Sequence, residues 1–317
     1  VLANPPAMHA SLLQTFEKVE LLFQSRIVEQ ELQIGMFRVP IPNYEKEAFR
    51  EGFVNALVHR DYFRVGAVQV QLQKAALSIS SPGGFLEGIS PENILTVSPT
   101  PRNVLLAEAA KRIGLAERTG RGIDKIYTVM LRSGHAIPDY SASTNTSVIL
   151  RLNSAELDES YIKMIISEEE RLQKTIPVDA LIVLSVLKTE RRATIKLLST
   201  KIQQPISDTR SVVEWLIELG MVEGVGNGSA RRYMLSSKVY SITNNKAGYT
   251  RQRGWDTMQE RELILTHLNQ YNRITREDVV ELCRCTPNHA SWLLRQLVKD
   301  QMIQLCGAGR GAFYQKL

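Results

Sequence analysis

An internal repeat constrains this 317-residue chain more than any other feature. Shifted on itself by 81 residues, the C-terminal half places Leu184 on Leu265, Leu187 on Leu268, Thr194 on Thr275, Leu216 on Leu297 and Met221 on Met302. The register runs on without a gap through Gly226 and Gly307, Gly228 and Gly309, and Tyr233 and Tyr314. A repeat of this length is one supersecondary unit used twice, so the half from about Pro177 to Leu317 must hold two copies of one small fold.

In the first copy, apolar residues at helical spacing predict helices over Val178–Leu187, Thr194–Ile202 and Asp208–Leu219. Ser207 is the expected N-cap of the third helix, with Thr286 before Pro287 in the second copy. Each copy then closes with an apolar strand, a glycine-rich tip and a strand carrying an aromatic, MVEGVGNGSARRYML and MIQLCGAGRGAFYQ, which predicts a hairpin. Three helices and such a hairpin resemble a winged helix. In that fold the third helix lies in the DNA major groove and the wing touches the backbone. Base reading would then fall to Thr209, Arg210, Asn288, His289, Ser291 and Arg295. Arg231, Arg232 and Arg310 on the wings would meet phosphates, with Arg273 and Arg276 adding to them. Winged helices also serve as protein adaptors, in which case these residues form solvated faces. Trp215 and Trp292 are expected to pack rather than stack on bases.

The expected domains are 1–153, a first winged helix at 154–240, a polar linker at 241–256 ending in Arg251 and Arg253, and a second winged helix at 257–317. Charge separates the two copies. Residues 237–317 carry 12 Lys and Arg against 7 Asp and Glu, whereas 154–236 carry 11 against 12. The second copy is therefore the expected DNA contact.

In the N-terminal half, a helix is expected over Ser11–Leu32, then a short strand MFRVPIP, then a helix capped by Asn43 and running to about His59. Within REGFVNALVHRDY (Arg50–Tyr62), Glu51 and Asn55 stand four residues apart and so share one helix face. A carboxylate and an amide meeting there suit a water-activating base and an oxygen ligand for Mg²⁺. Strands over Ala67–Gln73 and Ala76–Ser81 lead to Ser81-Pro-Gly-Gly84, and Arg118-Thr-Gly-Arg-Gly-Ile123 opens another helix. Glycines in both places would let backbone N–H groups approach phosphate.

Taken in order, the Glu51–Asn55 helix, the Ser81–Gly84 turn, Ser98–Asn103 (SPTPRN) and Glu117–Ile123 (ERTGRGI) resemble a bacterial family of transcriptional regulators, also described as helicase-related, with a degenerate ATPase domain. That domain is similar to the Bergerat fold of the GHKL ATPases, and the resemblance covers residues 8–153. It implies Glu51 as general base and Asn55 as Mg²⁺ ligand. It also implies Gly83 and Gly84 as a first glycine box, with Gly120 and Gly122 as a second at the nucleotide lid. One departure stands out. GHKL enzymes hold the adenine amino group with an aspartate just before the first glycine pair, where this chain has Ser81 and Pro82. In the family a further DNA-binding domain often comes first, so a chain starting VLANPP reads as the C-terminal part of such a protein.

The expected class is α+β, a GHKL-like α/β sandwich followed by two tandem winged helices. The expected function is a DNA-binding transcriptional regulator with ATP and Mg²⁺ as candidate cofactors. The alternatives are an ATP-hydrolysing enzyme that remodels nucleic acid and a protein-interaction adaptor. The partners are double-stranded DNA, a nucleotide and, by the commonest symmetry, a second copy in a two-fold dimer. No apolar run is long enough to cross a bilayer. Cys283, Cys285 and Cys306 are too few for a disulfide framework or a structural zinc, and with no signal-peptide pattern at the N-terminus they predict a cytoplasmic protein.

Overall fold

The computed structural model describes residues 11–34, 36–73, 75–116, 122–154, 158–226, 228, 231–242, 260–283, 287–307 and 312–316. The fold is mixed α+β, with its strands in small antiparallel sheets. It divides into two compact units, 1–190 with 195–218, and 191–194 with 219–317. Among the described residues no helix is long and apolar enough to cross a membrane.

The first unit opens with α1 (Leu12–Gln24), started by a capping box between Ser11 and Gln14. The helix stops at Ser25 and does not reach Leu32 as its periodicity predicts. Glu29–Ile34 instead forms β1, paired antiparallel with β2 (Phe37–Pro42), because Leu32 and Ile41 gain a core with Ile162. Asn43 does not cap the next helix. Its Oδ1 accepts from the Val28 N–H at 3.0 Å and its N–H donates to the Val28 carbonyl at 2.9 Å, closing the hairpin. Helix α2 (Lys46–Val58) begins after Glu45, without a side-chain cap.

Four phenylalanines fasten α1 to α2. Phe23 stacks on Phe49 at 3.9 Å, and Phe53 stacks on Phe49 at 5.8 Å and on Phe16 at 5.7 Å. Strands β3 (Gln69–Leu72), β4 (Ala76–Pro82) and β5 (Ser147–Asn153) form one sheet in that order, with Leu77 opposite Leu152 and Ile79 opposite Leu150. Helices α3 (Val104–Arg112) and α4 (Gly122–Arg132) both contact α2, and α2 also contacts β4.

Helix α5 (Glu159–Leu172), capped by Asp158, was not among the expected elements. Helix α6 (Val178–Glu190) is buried on every side from Ala180 to Leu187 and contacts α4 and α7 (Ile195–Ile202). Helix α8 (Ile206–Glu218) starts one residue before the expected cap Ser207.

Buried His135, just after α4, places Nε2 3.2 Å from the Pro42 carbonyl, while its buried Nδ1 has no hydrogen-bond partner among the described residues. Burial holds this imidazole below its usual pKa. The folded protein then binds fewer protons than the unfolded chain below about pH 6.5, so stability is present above that pH and is lost as pH falls through it. Thermal unfolding should show a lower Tm at about pH 5 than at about pH 7.5, with the difference reduced in His135→Phe. An unchanged difference in that variant would remove His135 as its source.

In the second unit, β6 (Ala193–Thr194), β7 (Val222–Val225) and β8 (Arg232–Leu235) form a sheet with β8 in the middle. Helix α9 (Ser237–Ile242) follows, then α10 (260–271), α11 (Arg276–Leu282), α12 (Pro287–Lys299), β9 (Ile303–Cys306) and β10 (Phe313–Lys316). Ile264, Leu268, Val279, Leu294, Leu297 and Ile303 are central to a buried core. The 81-residue shift carries α8 onto α12, β7 onto β9 and β8 onto β10 residue for residue. It also carries the Ala193–Tyr233 pairing onto the Ile274–Tyr314 bridge.

Candidate functional site

A cavity of about 430 Å³ opens in the first unit, within the range of small-molecule sites. Ile79 and Leu150 of the sheet, Ile94 and Leu95 of a loop, and Phe85 give it apolar walls. Its polar lining comes from Glu51, Asn55, His59, Arg102, Lys111 and Asp124.

The helical repeat of α2 brings Glu51 and Asn55 to this one wall. Glu51 is only 4% exposed, and its Oε1 lies 3.8 Å from the Lys125 ammonium, which also pairs with Glu47 at 3.3 Å. Gly122, first residue of α4, sits on the same pair. A Cβ there would lie 3.0 Å from Glu51 Oε2 and 3.6 Å from Asn55 Nδ2, so α4 approaches α2 this closely because the position is glycine.

The SPTPRN stretch holds the cavity rim together. Arg102 donates to the His59 carbonyl at 3.0 Å and to the Gly84 carbonyl at 2.7 Å. Asn103 Nδ2 donates to the Val58 and Arg60 carbonyls, each at 2.8 Å. These bonds satisfy carbonyls at the end of α2 and tie them to the glycine turn. Burial, with the Arg102 guanidinium nearby, holds the His59 imidazole below its usual pKa, so it presents a neutral ring to the cavity.

Two groups at the positions that the resemblance assigns to adenine and phosphate are engaged by the protein. Ser81 Oγ donates to the Ala56 carbonyl at 2.7 Å. Gly83 was expected to offer its N–H to phosphate, but that N–H donates to the Thr146 carbonyl at 2.8 Å. Its φ of +100° and its packing on Asp61 account for the glycine. At Gly84, a Cβ would lie 2.6 Å from the Asn145 carbonyl oxygen. Gly120 lies outside the described residues. Among the described residues no cluster of three His, Cys, Asp or Glu side chains could hold a metal. The cavity has the volume for a nucleotide-sized ligand.

The residues expected on DNA are divided by the structure. Thr209 is a correction: it is fully buried and its hydroxyl donates to the Pro205 carbonyl at 2.9 Å, leaving nothing for a base. The repeat carried that signal, since the 81-residue shift places Thr209 on Ala290, also fully buried. Arg210, on the same helix, is exposed. On α12, Asn288 and Arg295 are exposed, while Ser291 is half-buried and its hydroxyl donates to Pro287. His289 places Nε2 2.8 Å from Glu260 and stacks on Trp292 at 5.5 Å. Trp292 is 41% exposed, on the face that carries Asn288, Ser291 and Arg295. Arg231 and Arg232 are exposed, with the Arg231 guanidinium over the Tyr233 ring. Arg273 and Arg276 are exposed as well, and Arg276 pairs with Glu277. Arg310, Cys285, Thr286, Arg251 and Arg253 lie outside the described residues. The sequence reading passed over Gln203, whose side chain reaches the cavity loop.

Residues 66–152 match the family model described as "Putative ATP-dependent DNA helicase recG C-terminal". This similarity to an ATPase-like, helicase-related domain takes in the sheet, α3 and α4, while α2 precedes the match. No curated protein matches the chain. Among solved structures, the crystal structure of the DIP2311 protein from Corynebacterium diphtheriae matches with a TM-score of 0.61 at 20% sequence identity. The match covers 97% of this chain and 54% of that one, so the present chain spans about half the length of that protein. At this identity the likeness is one of fold.

Proposed function

We propose that this chain is a DNA-binding regulator in which a degenerate GHKL-like domain binds a nucleotide-sized ligand without hydrolysing it, and in which tandem winged helices hold DNA. The observation that carries this reading is the state of the cavity. It is roomy and apolar, yet Glu51 is packed under Gly122 and beside Lys125, which competes for the lone pairs that would take a proton from water. A site of this kind keeps the means to bind and loses the means to turn over. The DNA side rests on the repeated three-helix-and-hairpin pattern and on the exposed Asn288 and Arg295, whose chemistry suits base edges.

A titration of labelled duplex DNA, with and without ATP and Mg²⁺, tests both halves. Binding should weaken steeply with salt, and Arg295→Ala should cost about 1–3 kcal/mol of affinity if that side chain meets a base. Phosphate release should not rise above that of Glu51→Ala. The description of the matched family favours a second reading, an ATP-driven enzyme acting on nucleic acid. DNA-stimulated phosphate release that disappears in Glu51→Ala would establish it. Absence of duplex binding at low salt would leave the adaptor reading.

A further inference from the structure

The turn between α7 and α8 reaches into the wall of the cavity through one side chain. Gln203 Oε1 accepts from the Leu95 N–H at 2.8 Å, and Gln203 Nε2 donates to the Pro91 carbonyl at 2.8 Å. The two bonds grip a loop more than a hundred residues away in sequence, as a neighbouring strand grips its partner. Leu95 is a cavity wall, as are Ile94 and Val97 on the same loop. Internal bonds make the loop one piece. Asn93 accepts from the Ser90 N–H at 2.7 Å and donates to the Gly88 carbonyl at 2.8 Å, and the N–H groups of Thr96 and Val97 return to the Asn93 carbonyl. A displacement of Leu95 is therefore carried to Pro91 and into both arms of the Gln203 amide.

The other end of the grip is a strained point. Gln203 has φ of +59°, the left-handed conformation that closes α7, which glycine adopts freely and glutamine only against a steric cost. The next residue anchors the turn from the opposite side. Gln204 Nε2 donates to Asp179 of α6 at 2.8 Å, and the Gln204 carbonyl accepts from Ser199 Oγ at 2.6 Å. Helix α8 starts three residues after Gln203, and the exposed Arg210 is its fifth residue. If the two bonds to the loop are lost, the left-handed residue loses what offsets its strain. Gln203 is the left-handed residue of the turn from which α8 leaves.

We infer that Gln203 couples the cavity-lining loop Pro91–Val97 to the α7–α8 turn, so that the state of the cavity biases the setting of the helix that carries Arg210. Gln203 is a positioning residue: it lies outside the cavity lining and acts through Leu95. That a bound ligand drives the coupling rests on the reading of the cavity as a nucleotide-sized site. By linkage the effect runs both ways, so fixing α8 must change the affinity of the cavity by the same factor.

Amide hydrogen exchange on the full chain tests this, comparing the wild type with Gln203→Ala and Gln203→Glu, each with and without trinitrophenyl-ATP, whose own fluorescence reports binding. In the ligand-free protein, Gln203→Ala should speed exchange about tenfold both at Leu95 and at Thr209, whose N–H donates to the Pro205 carbonyl at the start of α8, as the loss of two net hydrogen bonds implies. Strand β4 should exchange as in the wild type. Gln203→Glu can still accept from Leu95 but cannot donate to Pro91, and should fall between. Acceleration at Leu95 alone, with α8 unmoved, would reduce Gln203 to a local tether and overturn the coupling. With the probe bound, exchange at Thr209 should shift in the wild type and not in Gln203→Ala. A bound probe that leaves α8 unchanged in the wild type also overturns it. If the probe fails to bind the wild type, the ligand reading falls, and the ligand-free comparison still decides the coupling.

Discussion

Phe49→Ala should destabilise the first unit by about 3–5 kcal/mol, read as a lower denaturant midpoint at unchanged slope. Phe49 is fully buried on α2, with Phe23 stacked on one side and Phe53 beside it. Truncation removes the transfer energy of a large ring and leaves a void between rings that are held by their own helices and close in only partly. Single domains have about 5–15 kcal/mol in all, so this loss takes a large share. It should also reach the cavity, because Phe49 lies two residues before Glu51 and fixes the helix from which Glu51 and Asn55 project. A loss below about 1 kcal/mol would mean that α1 and α2 are held by something other than this stack.

Gly83→Ala should cost about 3 kcal/mol or more, from two separate causes. The backbone φ of +100° is one that a residue with a Cβ adopts only under strain, and the added carbon would lie 2.6 Å from Asp61 Cβ and 3.2 Å from the Asp61 nitrogen. Relief requires the Asp61 backbone to move, and that segment is held by the Asp61 N–H donating to the Pro82 carbonyl at 2.8 Å. Gly88 separates the two causes. Its φ is +81°, but none of the described residues lies within 4 Å of a Cβ there, so Gly88→Ala should show the conformational cost alone, about 1–2 kcal/mol. Equal losses at the two positions, measured by the same unfolding experiment, would show that the contact with Asp61 yields freely.

The difference between those glycines shows where the sequence stopped being informative. SPGG marks a turn, and Gly83 and Gly84 read equally well as a cradle for phosphate. What decides is whether an N–H is already taken. The Gly83 N–H goes to Thr146, which joins the turn only because β4 pairs with β5. Ser81 is the same case, its hydroxyl meeting the Ala56 carbonyl once α2 lies on β4. Helix α1 failed differently. Its apolar spacing runs on past Ser25, and only the cluster of Leu32 and Ile41 with Ile162 of α5 makes a strand the better use of those residues. Helix α5 itself was legible, with Asp158 as its cap and buried Tyr161, Ile165 and Glu168 at helical spacing.

By itself the sequence determined the mixed α+β class, the repeat and its 81-residue register, and the placing of Glu51 and Asn55 on one face of one helix. These are matters of period and of local backbone preference, which neighbouring residues settle among themselves. The tertiary structure alone decided that Gly122 caps the Glu51–Asn55 pair and that Gln203 holds the cavity loop. Each of these depends on which donor finds which acceptor, or which side chain finds space, between segments that only the folded chain brings together. A buried polar group must find a partner, but the partner is chosen by packing.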